Sequence, residues 1–354
     1  MYPHFGQDAG GYIHKGKVNH MNIIKPENYK SPLSLKDTQI AIKMTKDFFE
    51  TNLAKELNLV RVSAPLFVDP KTGLNDNLNG VERPVSFDVK ETGKTLEIVH
   101  SLAKWKRYAL KYYDFKPGEG LYTDMNAIRR EEDTDNLHSI YVDQWDWEKV
   151  IEKSERTPET LKDTVKKIFK VFKNTEKHIC DAFPSLSPQL PEDITFITTQ
   201  ELEDLYPDKT PKERENLYVR EKKAIFLAKI GDILNSGEKH DGRAPDYDDW
   251  ELNGDIIFYN ETLDCAYEVS SMGIRVSEES LMAQLEKSNC LDRVSLPFHK
   301  DLLEGKLPYT IGGGLGQSRI CMFVLKKAHI GEVQASVWPE NMIKECSDAG
   351  ISIL

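Results

Sequence analysis

The residue types most suited to chemistry form a charged segment in the first half of the sequence. It reads Ile-Arg-Arg-Glu-Glu-Asp at residues 128–133, and Tyr-Val-Asp-Gln-Trp-Asp-Trp-Glu follows at residues 141–148. The pattern predicts a strand before Arg129 and a return strand that carries Gln144 and Asp146 on one face, because residues two apart on a strand share a face. A guanidinium across such a hairpin can hold a phosphate or a carboxylate. The alternative is a surface hairpin with solvated charges.

A glycine-rich segment near the C-terminus is the second candidate. Residues 311–319 read Ile-Gly-Gly-Gly-Leu-Gly-Gln-Ser-Arg. We expect a glycine turn that opens a helix over residues 317–327, where the backbone can approach a ligand closely and free N–H groups face it. Arg319 would lie at the start of an apolar helix, so its charge must be paired or face a ligand. The segment lacks the Lys-Ser/Thr of a P-loop.

Carboxylates on two neighbouring predicted strands form the third candidate. Asp255 starts a strand over residues 255–259, Asp264 directly precedes a strand over residues 265–270, and Glu268 belongs to that second strand. Such carboxylates suit Mg²⁺, which takes one or two of them together with substrate phosphates. Three further polar segments contain Asp76, Ser101 with Lys106, and Arg243 with Asp248. Each is either an ordinary solvated loop or part of a binding site.

These residues must be positioned by helices and strands, and the order of those elements predicts the fold class. A helix is expected over residues 34–57, with an apolar stripe of Ile40, Met44, Phe48, Leu53 and Leu57. A strand that stops at Pro65 follows it. The remaining predicted strands cluster instead of alternating strictly with helices. We therefore expect an α+β fold with a mostly antiparallel sheet flanked by helices. Residues 1–21 are expected to be an extension or tag, and residues 22–354 a single domain.

Composition excludes several classes of protein. The chain has 354 residues with 58 acidic and 47 basic side chains, a net charge of −11 that disfavours a nucleic-acid-coating protein. It contains no run of about 18 apolar residues and no signal-like N-terminus, so we expect neither a membrane span nor secretion. Its five cysteines form no C-x-x-C pair, which favours the reducing cytoplasm over a disulfide framework or a zinc site.

Taken together, the motifs resemble those of the class II aminoacyl-tRNA synthetases. The helix, the strand and Pro65 are similar to motif 1, the Arg129 hairpin to motif 2, and the glycine segment with Arg319 to motif 3. Five segments resemble more closely the ammonia-dependent asparagine synthetases, or aspartate–ammonia ligases, a family related to aspartyl-tRNA synthetase. They are residues 100–107, 142–148, 243–250, 270–276 and 312–319.

This resemblance implies a reaction, its ligands and its residues. Aspartate, ATP and ammonia would give asparagine, AMP and pyrophosphate through a β-aspartyl adenylate, with Mg²⁺ bound and with motif 1 forming a homodimer. The implied catalytic residues are Arg129, Asp76, Gln144 and Asp146. The implied aspartate ligands are Ser101, Lys106, Gln144, Arg243, Asp248, Ser271 and Arg275. The implied ATP ligands are Arg129, His138, Glu268, Gly314, Gly316 and Arg319, and the implied metal ligands are Asp255 and Glu268.

Several of these roles remain open between alternatives. Arg129 would bind the α-phosphate, whereas Arg319 would bind the γ-phosphate or stack on adenine. Arg275 and Lys106 would grip the α-carboxylate of aspartate. Asp76 is our candidate for taking a proton from ammonium, with Asp146 as the alternative. The first cysteine is at position 180, which favours ammonia over glutamine as the nitrogen donor.

Two other functions are compatible with the same motifs. A true aminoacyl-tRNA synthetase would need an anticodon-reading module and a basic surface for RNA. A non-catalytic paralogue acting as a regulator would be free to lose the arginines of the site, yet Arg129, Arg275 and Arg319 are all present. Both are therefore less favoured than the ligase.

Overall fold

The computed structural model describes residues 23–76 and 82–354, so the extension expected over residues 1–21 lies outside the described residues. In the described ranges the strands are β1 Leu59–Arg61, β2 Phe67–Val68, β3 Ser86–Val89, β4 Lys94–Ile98, β5 Gly120–Ile128, β6 Tyr141–Val150, β7 Thr195–Thr198, β8 Ala224–Ala228, β9 Asp248–Asn260, β10 Cys265–Arg275 and β11 Thr310–Gly316. The α-helices are α1 Leu35–Leu57, α2 Ala103–Tyr112, α3 Pro158–Ala182, α4 Thr199–Leu205, α5 Pro211–Lys222, α6 Glu278–Lys287, α7 Pro297–Leu303, α8 Gln317–Val324 and α9 Glu340–Asp348.

A mixed eight-stranded sheet organises these elements, in the order β1-β5-β6-β11-β10-β9-β8-β7. The five inner pairings are antiparallel, but β1 runs parallel to β5 and β7 runs parallel to β8. The prediction of a mostly antiparallel sheet is thus confirmed only in part. The physical reason is the connection: helices α4 and α5 link β7 to β8, and a long helical crossover permits parallel pairing. A smaller sheet is formed by β2, β4 and β3.

The predicted Arg129 hairpin is present. Strands β5 and β6 pair antiparallel over their whole length, with Ile128 opposite Tyr141 and Met125 opposite Gln144. Arg129 begins the connecting loop, and its backbone N–H donates to the Ile140 carbonyl at 2.9 Å. The loop over residues 130–139 therefore rises from the end of a rigid two-stranded ladder.

The glycine segment is a strand and not the expected turn. Residues 310–316 form β11, which is paired on both sides by β6 and β10 in the middle of the sheet. A side chain at Gly312 would overlap the Glu148 carboxylate, and one at Gly314 would overlap the Gln144 amide. The glycines are thus needed because neighbouring strands fill this space with polar side chains. Helix α8 follows directly and ends at Val324, before the expected Lys327.

Helix α1 begins where the sequence predicts, but it buries a different stripe. The Ser34 side chain caps it by accepting from the Asp37 N–H at 3.1 Å. The buried residues are Thr38, Ala41, Thr45, Phe49, Leu53 and Leu57. Ile40 is 45% exposed, and the predicted stripe is therefore wrong in its first half. The hydrophobic pattern gave the wrong buried face for this half of the helix, because the small or polar residues Thr38, Ala41 and Thr45 pack against the core.

The aromatic core lies on the face of the sheet covered by α1 and α3. Phe49 of α1 stacks on Trp145 of β6 with ring centroids 5.1 Å apart, and meets Phe172 of α3 edge-on at 4.9 Å. Both rings of the β6 tryptophans are buried. Because side chains alternate along β6, the residues beside these tryptophans project to the opposite face of the sheet. In the described part of the chain, no helix is long and apolar enough to cross a membrane.

Candidate active site

Polar side chains from the central strands converge on the face of the sheet opposite the aromatic core. Gln144, Asp146 and Glu148 alternate with the buried tryptophans of β6, and Ser271 of β10 lies opposite Gly314 of β11. Two adjoining cavities open on this face. The arrangement places strand residues, whose backbone is fixed by the ladder, at the floor of both cavities.

The first cavity has a volume of about 200 Å³. It lies between the loop that follows β5, strand β10 and the start of α8. All six residues predicted to bind ATP line it: Arg129, His138, Glu268, Gly314, Gly316 and Arg319. Residues separated by up to 190 positions in the chain are thus brought together on one concave surface.

The second cavity has a volume of about 190 Å³ and adjoins the first. Its lining contains all four predicted catalytic residues and every predicted aspartate ligand except Lys106. These residues are Asp76, Ser101, Arg129, Gln144, Asp146, Arg243, Asp248, Ser271 and Arg275. The two cavities share Arg129, Gln144, Glu268, Ser271 and Gly314. A molecule in one cavity therefore meets a molecule in the other at these five residues.

Arg129 stands at the junction with donors available for a ligand. The Glu132 Oε2 lies 3.7 Å from Arg129 Nη1, too far for a strong hydrogen bond. The buried Nε has no hydrogen-bond partner among the residues that the structure describes. A guanidinium held in this way can bind an anion without first breaking a tight ion pair.

Arg275 is held by two buried carboxylates. Its Nε lies 3.0 Å from both Glu148 oxygens and its Nη2 lies 2.8 Å from Glu148 Oε2, while Nη1 donates to Asp248. Burial by itself raises the pKa of Glu148, but the positive charges of Arg275 and Lys106 lower it by more than burial raises it. The pKa of Glu148 therefore lies below its ordinary value. The guanidinium is therefore fixed rigidly at the end of the second cavity.

Lys106 does not reach the cavity where we predicted it. Its ammonium group is fully buried, donates to Asp146 and to the Trp147 carbonyl at 2.8 Å, and lies 3.5 Å from Glu148 Oε2. A buried lysine must be paired in this way because an isolated charge is very costly in the interior. We therefore describe Lys106 as the buried positive charge that pairs with Asp146 and Glu148 beneath the cavity floor, not as a direct aspartate ligand.

Asp255 lies outside both cavity linings, beside Arg243. Arg243 Nη2 is 2.6 Å from Asp255 Oδ1, and Arg243 Nη1 donates to Ser271. Burial and the neighbouring Glu268 raise the pKa of Asp255 to about 7, although Arg243 lowers it. The structure describes no group of three or more histidine, cysteine, aspartate or glutamate side chains that could hold a metal ion. Asp264, grouped with these carboxylates by sequence, instead pairs with Arg220 at an exposed turn.

Asp76 is positioned by its neighbours at the rim of the second cavity. The Asn75 side-chain oxygen accepts from the N–H groups of Asp76 and His100, at 3.0 and 2.9 Å. The ring Nδ1 of His100 lies 3.1 Å from the Asp76 carbonyl oxygen. Because the carbonyl only accepts, the hydrogen belongs on Nδ1. These contacts fix the backbone of the segment at Asp76, which is buried.

The loop over residues 130–139 is anchored by Asn136 to two distant segments. The Asn136 side chain accepts from the Ile24 N–H at 2.8 Å, and donates to the Ile24 and Ala328 carbonyls at 3.0 and 2.7 Å. Its own carbonyl accepts from the Ile330 N–H at 2.8 Å. The loop that carries His138 is therefore tied both to the segment before α1 and to the segment after α8.

Sequence reasoning missed Glu148, the residue that holds Arg275. Glu148 is fully buried and also accepts from Thr310 Oγ1 at 2.7 Å. The signal was present, because Glu148 continues the two-residue alternation of Gln144 and Asp146 along β6. A charged residue at a predicted inward position of a central strand needs a buried partner of opposite charge. That partner, Arg275, lies on β10, and Gly312 of the intervening strand β11 leaves room for the contact.

Solved structures with the same fold define the class. Asparaginyl-tRNA synthetase from Pyrococcus horikoshii complexed with asparaginyl-adenylate superposes with a TM-score of 0.62 at 14% identity, over 86% of this chain and 70% of that one. Aspartyl-tRNA synthetase from Entamoeba histolytica gives 0.57 at 16% identity, over 84% and 58%. The chain thus has the fold of the class II synthetase catalytic core.

Sequence comparison then assigns the family within that class. The family model for aspartate-ammonia ligase matches residues 36–350. The aspartate–ammonia ligase of Ruminiclostridium cellulolyticum is 70% identical over 94% of this chain and 99% of its own, and that of Clostridium tetani is 66% identical over 94% and 98%. The chain belongs to the aspartate–ammonia ligase family of enzymes.

Proposed function

We propose that this chain makes L-asparagine from L-aspartate, ammonia and ATP, through a β-aspartyl adenylate that releases AMP and pyrophosphate. The observation that carries this proposal is the shared boundary of the two cavities. Arg129, Gln144 and Glu268 line both, so a nucleotide in the first would present its α-phosphate to a carboxylate in the second. The curated relatives carry the name of this reaction.

The chemistry requires activation because a carboxylate is a poor electrophile. Transfer to AMP turns one oxygen of the β-carboxylate into a leaving group that ammonia can displace. Negative charge accumulates around the α-phosphorus during this transfer, and a positioned guanidinium stabilises it. Arg129 has the position and the available donors for that role, and holding both substrates side by side supplies the proximity that the reaction needs.

The charges of the second cavity support one orientation of aspartate. Arg275 uses three of its five N–H groups on Glu148 and Asp248, which leaves two for the α-carboxylate. Asp146 and Asp248 line the same cavity and suit the α-ammonium. The β-carboxylate then points to Arg129 and to the first cavity.

Glu268 and Asp255 fit a divalent cation that accompanies ATP. Glu268 lines both cavities, and the raised pKa of Asp255 has the neighbouring Glu268 charge among its causes. A cation between two such carboxylates relieves their repulsion, and Mg²⁺ commonly takes only one or two carboxylates beside substrate phosphates. When bound, it would neutralise phosphate charge. Asp255 already gives one oxygen to Arg243, so Glu268 is the principal ligand.

Oxygen isotope transfer tests the adenylate directly. Aspartate labelled with ¹⁸O in its β-carboxylate is supplied with ATP, Mg²⁺ and ammonia. One labelled oxygen should leave with the phosphate of AMP, because the bond that breaks is between the acyl carbon and that oxygen. Mass spectrometry of AMP measures the transfer. ADP as the nucleotide product, or tRNA as the acyl acceptor in place of ammonia, would contradict the proposal.

Replacing Asp76 by asparagine separates ammonia use from activation. We expect aspartate-dependent ATP–pyrophosphate exchange to remain within about twofold of the wild type, while the asparagine-forming rate falls about 100-fold, as for loss of a general base. The two rates are measured on the same preparation. Asp146→Asn tests the alternative base in the same way.

The control for this substitution is Asp88→Asn, at an exposed position on the neighbouring strand β3. It should leave both rates unchanged. If Asp76→Asn supports asparagine formation at the wild-type rate, Asp76 does not take the proton. If it abolishes pyrophosphate exchange as well, its role is in aspartate binding.

We propose that α1 and β1 form a homodimer interface. Ile40 of α1, Val60 of β1 and Leu66 are 45, 59 and 49% exposed, and a second copy that covers these consecutive elements would remove their apolar surface from water. Sedimentation equilibrium should give twice the 40.5 kDa chain mass. Val60→Glu should shift the equilibrium toward monomer, whereas Ile233→Glu, at an exposed position outside these elements, should not. A monomeric wild type would overturn this proposal.

A further inference from the structure

Gln334 is a buried residue of the first cavity that no role above explains. It follows α8, is only 5% exposed, and lines the cavity together with Arg319 and His138. Its side-chain nitrogen donates to Ser318 Oγ at 3.0 Å and to Asp143 Oδ1 at 3.3 Å. Both partners belong to elements that carry nucleotide-cavity residues, β6 and the first turn of α8.

The surrounding network fixes which way this amide points. The Asp143 carboxylate accepts from the Lys46 ammonium at 3.1 Å and from the Ser318 N–H and Oγ at 3.1 and 2.8 Å. A carboxylate in such contacts only accepts, so the amide nitrogen of Gln334 must face it. The amide oxygen consequently faces away from Asp143, and an amide flip would bring two acceptors together.

The amide oxygen is the unexplained atom. Gln334 Oε1 is buried and has no hydrogen-bond partner among the residues that the structure describes. Nearly all buried polar atoms have a partner, and an unpaired acceptor is costly. An acceptor left without a donor in the wall of a ligand cavity is accounted for when the ligand brings the donor.

We propose that Gln334 Oε1 accepts a hydrogen bond from the exocyclic amino group of adenine, which makes Gln334 a specificity-determining residue for the nucleobase. The proposal rests on the proposed function in one respect, that ATP occupies the first cavity. Adenine presents an N–H donor at its 6-position, whereas guanine and hypoxanthine present a carbonyl acceptor there. Two facing acceptors repel each other and leave both unpaired, so the same contact would reject GTP and ITP.

A set of nucleotide analogues tests the proposal in the wild-type protein. Isothermal titration calorimetry, with Mg²⁺ and without aspartate, measures the affinities for ATP, purine riboside triphosphate, ITP and 2′-deoxy-ATP. We expect purine riboside triphosphate, which lacks the amino group, to bind about tenfold more weakly than ATP. We expect ITP to bind more weakly still. Equal affinities for ATP and purine riboside triphosphate would overturn the proposal without any mutant.

The Gln334→Met variant then assigns the discrimination to this residue. It should bind ATP and purine riboside triphosphate equally, both near the wild-type affinity for the purine analogue. Gln189→Met, a half-buried glutamine whose nitrogen donates to the Phe323 carbonyl at 3.1 Å outside the cavity, should keep the wild-type ratio. A Gln334→Met variant that keeps the wild-type ratio, or one that instead changes the ratio of ATP to 2′-deoxy-ATP, would contradict an adenine contact.

Failure of this inference and failure of the proposed function are distinguishable. Binding requires no turnover, so formation of ADP, or no ¹⁸O transfer to AMP, would end the adenylate mechanism while leaving the nucleobase preference measurable. Conversely, asparagine formation with undiminished use of purine riboside triphosphate would end the Gln334 assignment and leave the ligase intact.

Discussion

Replacing Arg129 by lysine is expected to lower aspartate-dependent ATP–pyrophosphate exchange by about 100- to 1,000-fold, the magnitude typical of losing a preorganised hydrogen-bond donor that stabilises the transition state. Lysine keeps the charge but not the planar fork that can contact two oxygens at once. Arg129 stands where both cavities meet, and its Nε has no partner in the described ranges of the chain, so the loss should fall on the rate of exchange more than on the KM for ATP. Initial rates of pyrophosphate exchange at saturating ATP measure it.

The matched control is Arg220→Lys. Arg220 pairs with Asp264 at the surface, where its side chain is 53% exposed, and exposed ion pairs contribute little. Its exchange rate and thermal stability should match the wild type. A wild-type exchange rate for Arg129→Lys would remove this residue from the activation step and with it the role of the cavity junction.

The second large effect is expected for Glu148→Gln. This substitution leaves the buried Arg275 with Asp248 as its remaining carboxylate partner, and removing one partner of a buried pair costs about 3–5 kcal/mol of unfolding free energy. Urea denaturation followed by circular dichroism measures that loss. Asparagine formation should fall with it, because Arg275 would no longer be fixed at the end of the second cavity.

The pH dependence supplies a further check on Glu148. Its pKa is lowered in the folded protein, so the carboxylate contributes stability that is present above its unfolded pKa and is lost as pH falls through its folded pKa. The stability difference between wild type and Glu148→Gln should therefore shrink below about pH 4.5. Glu91→Gln, at an exposed position between β3 and β4, should show neither effect. An unchanged unfolding free energy for Glu148→Gln would contradict the buried network.

The candidate site was predictable where its residues depend on local pattern. The alternation around Gln144 and Asp146 placed both on one face of a strand, and the antiparallel hairpin put Arg129 beside them, because strand geometry leaves little freedom. The resemblance to known motifs then linked this hairpin to Arg275 and Arg319, which no local pattern connects. Fourteen of the sixteen predicted site residues line the two cavities; the exceptions are Lys106, which pairs with Asp146, and Asp255, which pairs with Arg243.

The conformation of the glycine segment and the buried face of helix α1 depended on contacts between residues far apart in the sequence. The glycine segment has no side-chain periodicity, so its pairing with β6 and β10 decided that it is a strand. Helix α1 contains two adjacent stripes, and packing against α3 and the sheet decided that Thr38, Ala41 and Thr45 face inward.

The sequence by itself therefore determined the chemistry: the reactive side chains, the hairpin and the capped helix before it, since these follow from residue type and short-range geometry. Only the tertiary structure decided the partners. Lys106 pairs with Asp146, Arg275 with Glu148 and Gln334 with Asp143 across separations of 40, 127 and 191 residues. Burial makes each of these pairings obligatory, because a charge or amide removed from water must find a partner, and the fold alone determines which one is within reach.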